Sequence, residues 1–236
     1  MPDYFTHAII ADFIYEKLPK PHRELITDKK LYNLGAQGGD VFFFYRADFS
    51  PMNEGKKLHN TEPKELFSAL CRTNPSYAAG FAAHYALDCT IHPAVYAFEE
   101  TKSSPLAHIN FEKDLGLYVS RRFSTPRKIM PKDDVIGATF AVYDAISAVN
   151  EEVTLSGVER CLKRFFTYSR AVYAKKRQTY KYDYDYSRLN PLIDKSMELG
   201  VKAIACVLEK NIDPEVFSAS FLQKNAPAPQ AQTAQN

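Results

Sequence analysis

A chain of 236 residues, 45% hydrophobic and 25% charged, can bury one large core and is too evenly composed to be disordered or fibrous. Its formal net charge of +2 gives no electrostatic argument for nucleic acid. No apolar run approaches the ~18 residues that a transmembrane helix needs.

The four cysteines, Cys71, Cys89, Cys161 and Cys206, are scattered and form no Cys-x-x-Cys pair. The start, from Met1 to His7, has no basic segment leading into an apolar one. The chain therefore reads as cytoplasmic with reduced thiols, or as secreted if a leader has been removed.

Capping side chains and prolines predict helices over 7–18, 23–34, 38–46, 62–72, 76–91, 105–122, 133–149, 155–180, 188–210 and 214–222. In the first, Ile10, Phe13, Ile14 and Leu18 make a core-facing stripe, with Asp12, Glu16 and Lys17 turned to water. Before the third, Gly35-Ala-Gln-Gly-Gly39 permits a tight turn. Asp40 and the run from Val41 to Tyr45 then lead into the core. Asn74-Pro75, Ser104-Pro105 and Asp213-Pro214 each place a capping residue before a first-turn proline, and Thr61-Glu-Pro63 is a looser version. Pro93 should end the fifth helix near His92, because the residue before proline is pushed out of the α region.

No alternating strand pattern is found, so the expected fold is all-α. Residues 1–120 are expected to form a metal-binding helical core, with 121–222 packing on the same domain and 223–236 a disordered tail rich in Ala, Pro and Gln. Segment 121–132, with Arg121, Arg122, Arg127, Lys128 and Lys132, reads as a solvated connector. The run Tyr173, Tyr180, Tyr182, Tyr184 and Tyr186 is interleaved with Lys175, Lys176, Arg177 and Lys181. A membrane-interface or nucleic-acid face is one reading of it. Asp183 and Asp185 dilute that charge, and a connector packed on the domain fits better.

The chemistry concentrates in the histidines. His84-x3-Asp88-x3-His92 puts three metal-ligand side chains on one helical face, and His108-x3-Glu112 puts two on the next helix. Zinc accepts this nitrogen and carboxylate set. The competing reading is a buried ladder in which each histidine hydrogen-bonds the carboxylate one turn away. The segment around His84 is nearly all apolar or small, so its polar groups need partners, and a metal is one. His7, Asp40 and His59 are further candidates. A helix-start carboxylate, for Asp40, and plain helix-start or loop histidines are their ordinary alternatives. His22, between Pro21 and Arg23, matches nothing.

In order and spacing, the glycine turn with Asp40, then His59-Asn60, His84-x3-Asp88-x3-His92-Pro93 and His108-x3-Glu112 resemble the zinc-dependent phospholipase C family. That family shares a superfamily with the P1-type nucleases. The resemblance spans about residues 4–116. It implies a single multi-helix domain of the phospholipase C / P1 nuclease type and two to three zinc ions. Asp40, His59, His84 and Asp88 would hold one; His92, His108 and Glu112 a second; His7 with a shared Asp88 a third. Asp40 would also be catalytic, orienting or deprotonating the attacking water.

Secreted members complete the third site with an N-terminal tryptophan, and this chain has no tryptophan. The turn also reads Gly-Gly-Asp where Gly-Pro-Asp is expected. Tyr45, Tyr85 and Tyr96, with Phe43, are candidate substrate walls, in competition with core packing. The implied function is hydrolysis of a phospholipid head group or a smaller phosphodiester. A P1-type nuclease and a non-catalytic helical metal-binding scaffold are the alternatives. Phosphohydrolases with adjacent His-Asp ligands are disfavoured, because no His-Asp dipeptide occurs.

Overall fold

Caps and apolar stripes turn this chain into helices joined by short loops. The computed structural model describes residues 4–46, 53–173 and 177–221, and among them there is no strand. The expected all-α fold is what is found. The expected tail lies outside the described residues, as do Lys175 and Lys176.

Helix α1, Tyr4–Lys17, buries Ile10 and Ile14 and sets Phe13 against Phe123, with ring centroids 4.2 Å apart. The helix expected over 23–34 is instead two, α2 (Lys20–Leu25) and α3 (Lys29–Gly35). Asp28 separates them. Its side chain accepts from the Lys30 and Leu31 amides at 2.9 and 3.1 Å, so it caps α3 rather than continuing a helix.

A 3-10 helix, Gly38–Phe44, follows the glycine turn. Helix α4, Glu54–Asn60, was not expected from the sequence; Asn53 caps it by accepting from the Lys56 amide at 2.9 Å. Helix α5 is Pro63–Leu70.

The central element is α6, Pro75–Glu100, capped by Asn74. It does not end near His92 as expected. It runs through Pro93, because Val95 and Phe98 beyond it are buried and Phe98 stacks on Phe111 at 4.2 Å. That packing offsets the hydrogen bond a helix-interior proline removes. The α3–α6 crossing is close: a Cβ on Gly80 would lie 2.0 Å from the Tyr32 carbonyl oxygen, and one on Gly35 2.2 Å from that of Tyr77. Helix α7, Ala107–Arg122, also packs on α6.

The helix expected over 133–149 breaks at Gly137 into α8 (Lys132–Gly137) and α9 (Thr139–Ser147). Helix α10, Leu155–Tyr173, stops short of residue 180. Beyond it, buried Asp114 accepts from the Lys181 and Tyr182 amides at 2.7 and 3.0 Å. It also accepts from the Tyr186 hydroxyl at 3.0 Å and the Arg177 guanidinium at 2.7 Å. The tyrosine-rich run is thereby packed on the protein. Helix α11, Asn190–Leu208, lies along α6. Residues 214–217 form a single turn, not the start of a tenth expected helix. No helix of the described residues is long and apolar enough to cross a membrane.

Candidate metal centre

His84, Asp88 and His92 stand on successive turns of α6 and project to one side of it. All three are buried, and a buried carboxylate requires cationic or hydrogen-bonding partners. Four imidazoles supply them. Asp88 Oδ2 lies 3.1 Å from His84 Nε2 and 3.5 Å from His59 Nε2; its Oδ1 lies 3.3 Å from His7 Nε2 and 3.6 Å from His92 Nδ1. His7 comes from α1 and His59 from α4, while the 3-10 helix brings Asp40 Oδ1 to 3.4 Å from His59 Nε2. On the far side α7 presents Glu112, whose Oε1 is 2.9 Å from His108 Nε2 and 3.6 Å from His92 Nε2.

Three groups of donor atoms each lie within 4.8 Å of one another: His7, Asp40 and His84; His59, His84 and Asp88; and His92, His108 and Glu112. The third is the set that the resemblance implied. The second contains three of the four residues implied for the first zinc. His7 falls beside Asp40 and His84 as well as Asp88. His22 belongs to none of these groups and lies 2.7 Å from Glu209.

The residues fit a metal by a direct test. His7 Nδ1, His84 Nδ1, Asp40 Oδ1, Asp88 Oδ2 and Glu112 Oε2 are buried and make no hydrogen bond. So many buried polar atoms with no hydrogen bond, on residues that cluster together, would be costly in a dry core. Three of the imidazoles are also held from behind. His59 Nδ1 donates to the Gly55 carbonyl at 2.7 Å, His108 Nδ1 to Glu99 Oε2 at 3.0 Å, and His92 Nδ1 to the Phe221 carbonyl at 3.3 Å. Each such bond holds the ring with Nε2 turned toward the carboxylates, the orientation of metal-binding histidines. A cavity of about 20 Å³, the size of a water or an ion, lies among His7, Asp88, His92 and Glu112.

The electrostatics follow the same geometry. Burial alone would raise Asp88, but the charges of His84 and His92 hold it well below the usual carboxylate range. For Glu112 burial likewise acts upward, and hydrogen bonds from His108 and His92 are among the interactions that bring it below the usual carboxylate range. For His84 burial prevails and lowers it. For His59 burial is outweighed by the facing carboxylates of Asp40 and Asp88, which push it up to about 10.

Of the candidate walls, Tyr96 stacks on His92 at 5.6 Å and lies 5.4 Å from the His108 ring. Phe43 stacks on His59 at 5.4 Å. Tyr85 is packed among Phe67, Phe217 and Phe221, and its hydroxyl donates to the Val216 carbonyl at 3.3 Å. The Tyr45 hydroxyl accepts from the Thr154 amide at 2.9 Å. Both side chains are engaged in packing. Glu99 and Phe221 were not anticipated. They lie 9 and 129 residues from the histidines they hold, beyond the reach of helical spacing.

Buried imidazoles and carboxylates gathered by four helices and a 3-10 turn define an all-helical metal protein. Residues 6–176 match the zinc-dependent phospholipase C family, and the chain belongs to it. Membership makes it a zinc-dependent phosphodiester hydrolase in kind. No curated protein and no solved structure matches the chain.

Proposed function

We propose that His7, Asp40, His59, His84, Asp88, His92, His108 and Glu112 hold two to three zinc ions. The single observation that supports this best is Asp88, whose two oxygens face different histidines. A carboxylate placed in that way suits bridging. Asp40, His59, His84 and Asp88 form one set; His92, His108 and Glu112 a second; His7 and Asp88 a third, weaker one.

When bound, zinc supplies a Lewis acid that lowers the pKa of a coordinated water from ~15.7 toward ~7 and takes charge from phosphoryl oxygens. The chain's own residues do the rest. Asp40 Oδ1, which makes no hydrogen bond, is the acceptor for a proton from the attacking water. The water oxygen bonds to phosphorus, the ester P–O bond breaks, and the leaving alcohol takes up a proton. Tyr96, pushed by burial up to about 12, stays a neutral phenol beside His92 and forms a wall. The substrate is a phospholipid head group or a smaller soluble phosphodiester.

Residues up to about 120 form the metal-binding core, and the later helices pack on the same domain. Four unpaired thiols support a cytoplasmic location. The test is elemental analysis of protein never exposed to chelator, together with turnover of bis(4-nitrophenyl) phosphate and short-chain phospholipids. Two or more zinc ions per chain with hydrolysis is the expected result. Less than one metal per chain, or zinc retained without hydrolysis across such a panel, sinks the reading.

A further inference from the structure

The chain leaving α11 doubles back onto the metal centre. The Phe217 amide donates to the Asp213 carbonyl at 3.2 Å and closes a single turn. The Phe217 ring then lies 4.5 Å from Phe67 and 5.4 Å from Tyr85. Four residues further on, Phe221 is buried with its ring 5.4 Å from His59 and 6.1 Å from His84. Its carbonyl accepts from His92 Nδ1 at 3.3 Å. One residue thus touches an imidazole from each side of Asp88.

The centre is nearly closed as it stands. His7, Asp40, His59, His84, Asp88, His92 and Glu112 are each exposed by 5% or less, and of the eight candidate ligands His108 alone is partly open to solvent. Hydrolysis requires something to move aside, and the elements that carry the ligands are poor candidates. α6 is the core of the protein, while α1, α4 and α7 are packed against it or against the 3-10 helix. Segment 213–221 differs. It has one turn in place of a helical ladder, and two side-chain hydrogen bonds from α6, those of Tyr85 and His92, reach its backbone. Segments with few backbone hydrogen bonds sit at the low end of local stability.

We propose that residues 213–221 are a gate: closed, as here, Phe221 seals the metal centre, and the segment swings out to admit substrate. The proposal rests on the reading of the centre as a zinc site. It assigns Phe221 two separable parts: a ring that excludes solvent and ligands, and a carbonyl that orients His92.

The separation makes the gate testable on the full-length, zinc-loaded chain. Phe221→Ala removes the ring and keeps the carbonyl. Excess dipicolinate should strip zinc from this variant on the order of tenfold faster than from the wild type. The starting zinc content should be unchanged. Tyr85→Phe removes one hydrogen bond from the segment and leaves the ring packing. It should give a smaller acceleration and stands in if Phe221→Ala does not fold. Equal stripping rates in all folded forms overturn the proposal.

Hydrogen exchange supplies an arm that needs no metal. Amides of 213–221 should exchange through local opening, well before those of α6 and α11. Exchange of the segment only on global unfolding overturns the gate. Protein that carries no zinc at all refutes the metal reading instead, and the exchange result then decides the gate alone.

Discussion

The ring of His84 occupies the space that a side chain on Gly38 would need: a Cβ there would lie 2.1 Å from His84 Cδ2. One residue on, a Cβ on Gly39 would lie 2.6 Å from His59 Cε1. The glycine pair is therefore the floor on which two imidazoles rest, and the backbone turn and the metal centre are a single construction.

The two glycines should respond differently to alanine. Gly38 has a φ of 50°, in the left-handed region, which costs a residue with a Cβ about 1–2 kcal/mol before any clash. Gly38→Ala should lower both the thermal midpoint and the zinc content. Gly39→Ala should lose zinc with a smaller fall in midpoint, since only the His59 ring has to give way. Metal analysis and thermal melts on both variants check this; full zinc in Gly38→Ala would contradict it.

Asp88→Asn should be far more damaging than His22→Ala. The first removes the charge that four imidazoles face, and leaving buried groups unmatched costs on the order of 1–3 kcal/mol. The second removes a surface contact to Glu209, with an expected effect within about 0.5 kcal/mol. Denaturant midpoints and zinc content measure both quantities. Indistinguishable variants would refute the ranking.

Glu112→Ala should abolish phosphodiester turnover and cost about one zinc ion per chain. Glu112 Oε1 is the oxygen that both His92 and His108 approach. A variant with wild-type kcat and metal content would remove Glu112 from the ligand set.

Metal-free protein should lose stability as the pH rises. Burial opposes protonation of His59, His92 and His108, but the facing carboxylates of Asp40, Asp88 and Glu112 prevail and raise all three. His59 moves from 6.5 to about 10. The folded state then holds protons that the unfolded chain gives up, so the stabilisation is full below pH 6.5 and fades toward pH 10. Chelator-treated protein should melt lower at about pH 9 than at about pH 6. Zinc-loaded protein should not share that slope, because its ligands must be deprotonated. An apo midpoint that rises over the same interval would exclude this account.

Much of the centre was legible because helical spacing is short-ranged. His84, Asp88 and His92, or His108 and Glu112, need only one turn between them to share a face. The helix carrying His59 was missed because it is short and contains Gly55, which reads as a breaker. The glycine is there for a tertiary reason: a Cβ on it would lie 2.6 Å from the Phe43 amide nitrogen. The passage of α6 through Pro93 was missed for a related cause. Local preference ends the helix, and the burial of Val95 and Phe98 continues it. Contacts of the Phe221 kind leave no local trace, since nothing in residues 213–221 encodes where they dock.

Asp114 gives the second half of the chain a fixed point. By gathering Arg177, two amides and the Tyr186 hydroxyl, it clamps the chain just before α11 begins at Asn190. From there a single rigid rod lies along α6 and ends where the chain turns back toward Phe221. A carboxylate that touches no candidate ligand thus sets the origin from which the reach of that final segment is measured, like the pivot of a lever whose tip rests on His92.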